Sequence, residues 1–163
     1  MTSNHYIIDS SSLIELNRRN PIDIFPTVWQ SIESLISKGL LVAPKEVLYE
    51  IMDGDDQLAR WAKNQSRLFK DLTSKQIEIV KDILRSYPSM VKEYRKHDAD
   101  SWVIALAVEI ASSFQQTLMP IKRIVVTEEK LRGDKIKIPL VCQKYNIESI
   151  DILDMFRIEG WKF

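Results

Sequence analysis

The stretch Tyr6-Ile7-Ile8-Asp9-Ser10-Ser11-Ser12-Leu13 decides the fold. Residues His5 to Ile8 are aromatic and β-branched and run into a polar turn, the pattern of a short buried strand. The three serines then offer N-cap hydroxyls to a helix from about Leu13 to Arg19, which Asn20-Pro21 stops. The same unit recurs. Leu40 to Ala43 is too short and continuous for an amphipathic helix and reads as a second buried strand. Pro44 suits the first turn of the helix that follows, with Val47, Leu48 and Ile51 on its apolar face. Ile124 to Thr127 reads as a third strand and Asn146 to Ile150 as a short last one, after which Asp151 caps a final helix.

Between these strands lie helical segments. One follows Phe25-Pro26, with Val28, Trp29, Ile32, Leu35 and Ile36 on one face, and ends at Lys38-Gly39. Asp53-Gly54-Asp55-Asp56 breaks the chain before a helical stretch from Leu58 to Phe69. Thr73 caps a helix with Ile77, Val80, Ile83 and Leu84 at core spacing, ended by Tyr87-Pro88. A basic stretch with Lys92, Arg95, Lys96 and His97 precedes Trp102 to about Phe114, which is apolar nearly all round and is expected at the centre. A polar, basic loop from Lys130 to Lys137 leads to a short helix from Ile138 to Tyr145. Strands alternating with helices predict an α/β fold: a three-layer α/β/α sandwich around a parallel sheet of about four strands.

The 163 residues fit one domain, 1–163. Lysine and arginine number 23, as do aspartate and glutamate. That balance argues against tight, non-specific binding to long nucleic acid, which needs a net basic footprint. It leaves room for a local basic rim. Four glycines leave no glycine-rich phosphate loop. The single Cys142 excludes an intramolecular disulfide and fits a reducing cytoplasm. The start, Met1-Thr-Ser-Asn-His-Tyr6, has no basic region or long apolar core, so no signal peptide is expected. No apolar run is long enough for a membrane span.

Acidic residues stand where an α/β fold delivers side chains to one edge of its sheet. Asp9 ends the first strand; its plainer role is an N-cap, which Ser11 and its neighbours could fill instead, freeing Asp9 for a metal. Glu50 lies beside the apolar face of its helix, one turn after Glu46, whose place in the first turn suits the helix dipole. Asp98 and Asp100 open the apolar helix, one as a cap and one facing inward, Asp100 being nearer the apolar run. Glu128 and Glu129 follow the third strand, and only one of them can enter a given crevice. Carboxylates meeting at the carboxyl ends of parallel strands repel unless a hard cation sits among them. Asp9, Glu50, Asp100 and Glu129 are therefore the expected site, with Mg²⁺ or Mn²⁺ as the cation. Ser11, Thr127 and Asp98 are expected to support it. Arg18, Arg19, Lys96, Lys130 and Arg132 are candidate phosphate contacts, each with an ordinary solvated surface as the plainer alternative. His97 reads most simply as a surface residue, and Cys142 and the tryptophans as packing groups.

Taken in order, these segments resemble the PIN-domain nucleases. Tyr6-Ile-Ile-Asp9-Ser-Ser-Ser-Leu-Ile looks like their opening, Pro44-Lys-Glu-Val-Leu-Tyr-Glu50-Ile like their second acidic motif, and Asp100-Ser-Trp-Val-Ile-Ala-Leu-Ala like their third. Val125-Val-Thr127-Glu-Glu129 resembles their fourth, with Glu129 where many members carry Asp. The tail from Lys135 to Cys142 and the terminal Gly160-Trp-Lys-Phe163 are similar to a bacterial subfamily with a helical insertion between the second and third motifs, here about 55–97. The resemblance implies a cytoplasmic, Mg²⁺- or Mn²⁺-dependent ribonuclease that prefers single strands, the toxin of a toxin–antitoxin pair, with RNA as substrate, an antitoxin as partner and homodimers as a frequent assembly. The rival expectations are a catalytically inactive PIN-like module that binds RNA or protein, and a metal-dependent phosphatase or DNA nuclease on a similar scaffold.

Overall fold

The computed structural model describes residues 3–54, 56–92, 94–112, 121–133 and 135–163. Among these residues five parallel strands form one sheet: β1 (Ser3–Ile8), β2 (Leu41–Pro44), β3 (Phe69–Lys70), β4 (Ile121–Val126) and β5 (Glu148–Ile150). Their order is β3-β2-β1-β4-β5. The central strand β1 pairs with β2 through Tyr6 and Leu41, and with β4 along its length, Ile8 facing Val126. The chain therefore builds outward from β1 on one side, then crosses to the other at β4. In open parallel sheets the crevice outside the carboxyl ends of the strands at such a switch point is the habitual ligand site.

Among the described residues eight α-helices flank the sheet: α1 (Ser10–Arg19), α2 (Pro26–Ser37), α3 (Lys45–Met52), α4 (Asp56–Lys63), α5 (Ser74–Ser86), α6 (Asp100–Ser112), α7 (Ile138–Lys144) and α8 (Ile152–Glu159). Both sides of the expected α/β/α sandwich are thus present. Helix α6 packs against β1, β2 and β4. Val103 to Ala107 are buried without a break, as its nearly uniform apolar sequence requires. Because α6 leads into β4, its N-terminus lies at the carboxyl edge of the sheet, and Asp100 with it. Helices α1 and α3 follow β1 and β2 directly and begin at the same edge.

The tryptophans pack, as expected. Trp29 and Trp61 meet edge-on at 4.8 Å, and their indole N–H groups donate to the Asn20 carbonyl and the Glu33 carboxylate. Trp161 packs on Phe156 and Phe163. Gly160 closes α8 at φ 71°, a left-handed cap that an L side chain rarely adopts.

The structure departs from the sequence expectations in local places. Helix α1 begins at Ser10, not Leu13, because Asp9 itself is the N-cap. The helix expected from Leu58 to Phe69 ends at Lys63; Asn64, Gln65 and Leu68 turn back on carbonyls of Trp61, Ala62 and Gln65, and Phe69–Lys70 becomes strand β3 beside β2. Pro44 is the last residue of β2 and caps α3 instead of sitting in its first turn. Strand β5 starts at Glu148, because Asn146 takes φ 57° at the preceding turn. Helix α6 is described to Ser112; Phe114, its expected end, lies outside the described residues, as do Asp55 of the expected break and Met1 and Thr2 of the amino end. Among the described residues no helix is long and apolar enough to cross a membrane.

Ile104 is fully buried in α6, whereas Ile158 on α8 is 46% exposed. Ile104→Ala is expected to lower unfolding stability by about 2–5 kcal/mol and Ile158→Ala by under about 0.5 kcal/mol, read from urea midpoints. Equal losses would contradict α6 as the central helix.

Candidate metal centre

At the carboxyl edge, Asp9, Ser10, Ser11, Ile14, Glu50, Asp53, Arg95, Lys96, His97, Asp100 and Glu129 line one open crevice of about 350 Å³. All four expected acidic residues are in it. A larger cavity of about 540 Å³ lies at the amino ends of β4 and β5, lined in part by Lys122, Arg123 and Glu148. It has no convergence of carboxylates, and Lys122 and Glu148 already pair with each other.

Asp9 is buried and doubly employed. It caps α1 by accepting from the Ser10 N–H at 2.8 Å, and it accepts from the hydroxyls of Ser11 at 2.8 Å and Thr127 at 3.1 Å. The cap role and the site role therefore coexist, and the serines support Asp9 instead of replacing it. Ser11 and Thr127, expected to support the site, both donate to the Asp9 carboxylate. Thr127 also accepts from the Glu129 N–H at 3.2 Å, which sets the turn after β4.

Glu50 reaches in from the second turn of α3. It accepts from the Ser10 hydroxyl and from the Ala99 N–H, tying α3 to the residue before α6. Glu46 stays outside the crevice, 3.9 Å from His97. Asp100 is buried at the first position of α6. Glu129 turns inward and accepts from the Ile138 N–H at 2.9 Å, whereas Glu128 turns away to accept from Ser12 and the Ile152 N–H. The adjacent pair thus splits as the sequence required.

Among the described residues, carboxylate oxygens of Glu50, Asp98 and Asp100 lie within 4.8 Å of one another, the spacing of a metal-ligand set. Asp98 was expected only to support the site; it is a member of this set, while Asp9 lies outside it on the neighbouring wall. Asp98 also accepts from the backbone N–H of Lys92 at 3.1 Å and of Asp100 at 3.4 Å. It combines the cap-like and the inward role in one carboxylate.

The electrostatics are those of a crowded acidic site. Burial pushes the Asp9 carboxyl up to about 7, and the charges of Asp100, Glu50 and Glu129 push the same way against the Ser11 hydrogen bond. Burial, then Asp100, raises Asp98 and Glu129 as well. Glu50 is raised by burial and Asp100 despite its two hydrogen bonds.

The basic residues are distributed unevenly. Lys96 lines the crevice, joined by Arg95 and His97, which the sequence did not single out for the site. His97 lies 3.8 Å from Asp53 and 3.9 Å from Glu46, so it is a wall residue and not a bare surface one. Lys92 was missed too: its ammonium lies 2.9 Å from Asp100 and 3.9 Å from Glu129. Arg18 and Arg19 pair with Glu15 at the far end of α1, about 13 Å along the helix axis from Asp9. Lys130 pairs with Asp151 at 2.6 Å, and Arg132 is exposed. None of these four lines the crevice. Cys142 is buried, its thiol pushed by burial up to about 12, which fits core and not nucleophile.

A family model described as a domain of unknown function, DUF4411, matches residues 6–163. No curated protein matches the chain.

A carboxyl whose pKa is raised on folding contributes stability that is fully present below its unfolded pKa, about 4, and is lost as pH rises to the folded value. In chelator-containing buffer, the stability of Asp9→Asn relative to the parent chain is therefore expected to rise as pH goes from about 4 to about 7. Urea midpoints across that range check it; parallel curves would show that folding does not raise the Asp9 carboxyl.

Proposed function

The chain belongs to the DUF4411 family, and from its acidic crevice we propose that it is a cytoplasmic, divalent-cation-dependent endoribonuclease of the PIN-like type, acting as the toxin of a toxin–antitoxin pair. The observation that carries the reading is the convergence of Asp9, Glu50, Asp100 and Glu129 from four separate segments onto one crevice at the sheet's switch point, with Asp98 within 4.8 Å of Glu50 and Asp100. The donor set fits Mg²⁺ or Mn²⁺: it is all oxygen, contains no thiolate, and burial together with the charge of Asp100 raises the carboxyls of Asp9, Glu50 and Asp98, a penalty that a hard cation relieves.

Glu50, Asp98 and Asp100 would hold the cation, with Asp9 and Glu129 as flanking or water-mediated ligands. The cation supplies Lewis acidity, which makes water a competent nucleophile near neutral pH and offsets charge on the scissile phosphate. The chain does the rest. Ser11 and Thr127 keep Asp9 pointed at the crevice, so its carboxylate can orient the attacking water and accept its proton. Ser10 and the Ala99 N–H do the same for Glu50. Arg95 and Lys96 at the crevice wall are placed to bind flanking phosphates of an RNA strand. The crevice is open, which suits a polymer passing across it.

One observation favours a second reading, an inactive RNA- or protein-binding module: Lys92 already sets a positive charge against Asp100 and Glu129. Carboxylate-dependent Mn²⁺ binding separates the two, since the inactive module requires none.

Purified protein is expected to cleave single-stranded RNA with Mn²⁺ and not with chelator, and Asp9→Asn or Asp100→Asn to lower the rate at least about 100-fold while remaining folded. Undiminished cleavage by either variant would overturn the site. Parallel assays on DNA and small phosphoesters fix the substrate class. Expression is expected to arrest growth, and Asp100→Asn to relieve the arrest; arrest by both alike would detach toxicity from the crevice.

A further inference from the structure

Lys92 sits against two of the crevice's carboxylates. Its backbone N–H donates to Asp98 at 3.1 Å, and its side chain doubles back so that Nζ meets Asp100 Oδ2 at 2.9 Å. The same ammonium faces Glu129 Oε1 at 3.9 Å. Only 23% of the side chain is exposed, against 45–62% for the lysines of the surface pairs with Asp71, Glu78, Glu148 and Asp151. Met90, just before it, is buried and anchors the segment.

The crevice therefore has two ends that share Asp100. At one, Glu50, Asp98 and Asp100 bring oxygens within 4.8 Å of one another. At the other, Asp100 and Glu129 already face a positive charge. We infer that Lys92 is the resident cation of the Asp100–Glu129 end, and that the crevice takes a single divalent ion, at the Glu50–Asp98–Asp100 end. The inference rests on the reading of the crevice as a cation site and specifies its stoichiometry. Two-metal nucleases place their ions about 3.5–4 Å apart, each between carboxylates. Here a second divalent ion would have to expel a half-buried ammonium and leave it without its carboxylate partners, which is unfavourable. A lysine is a compact point charge on a flexible stem, suited to a phosphate oxygen beside a single metal.

The test is Mn²⁺ titration of metal-stripped protein, by calorimetry and by the electron paramagnetic resonance signal of free Mn²⁺. The parent chain and Lys92→Arg are expected to bind one ion per chain. Lys92→Met and, as a second neutral variant, Lys92→Gln are expected to bind two. Two ions in the parent chain would overturn the inference. So would one ion throughout, bound more tightly by the neutral variants, because Lys92 would then compete for the divalent ion's own position. No binding by any of the four would overturn the cation-site reading itself, and the inference with it.

Discussion

Mutual repulsion of carboxylates at the carboxyl edge of the sheet is the constraint around which the rest of the structure is arranged. Like charges brought together in a partly buried crevice interact far more strongly than in water. The fold tolerates this by hydrogen-bonding the acids from neighbouring elements. Asp9 takes one backbone N–H and two hydroxyls, Glu50 a hydroxyl and an N–H, Asp98 two N–H groups, Glu129 the N–H that opens α7. Such an arrangement costs stability wherever the acids are ionised together. On the proposed reading, a divalent cation offsets that repulsion.

The scaffold explains how acids so far apart in sequence meet. Each is carried by a turn that leaves or approaches the same sheet edge: after β1, after β2, before α6 and after β4. Helix α6 is the pivot. Being apolar on nearly every side, it can lie only against the middle of the sheet, and that fixes Asp98 and Asp100 between the acids from β1 and β2. The segment between α3 and α6 contributes to both layers, since α5 packs on α6 while Phe69–Lys70 extends the sheet at its β2 edge.

Much of this was legible in the residues. The strand–turn–helix rhythm, the central helix and the choice of Glu50 over Glu46 follow from apolar spacing, whereas Glu129 was matched over Glu128 through the resemblance of its motif. What was not legible depends on long-range contacts. A two-residue strand has no period, so β3 was hidden in an apparent helix. That Asp9 could both cap α1 and face the crevice follows from Thr127, 118 residues away, which shares its carboxylate. Lys92, Arg95 and His97 arrive through an irregular segment that folds back over the start of α6; basic residues in such a segment carry no signal of where they point. Arg18 and Arg19, conversely, sit at the wrong end of α1, a placement that the length of the helix already implied.

The central claim, that these carboxylates form a seat for a hard divalent cation, is tested most directly by anomalous scattering from crystals soaked in Mn²⁺. The account predicts a peak at coordination distance from carboxylate oxygens of Glu50, Asp98 and Asp100. Crystals that show no peak in the crevice while Mn²⁺ is bound elsewhere on the protein would contradict it.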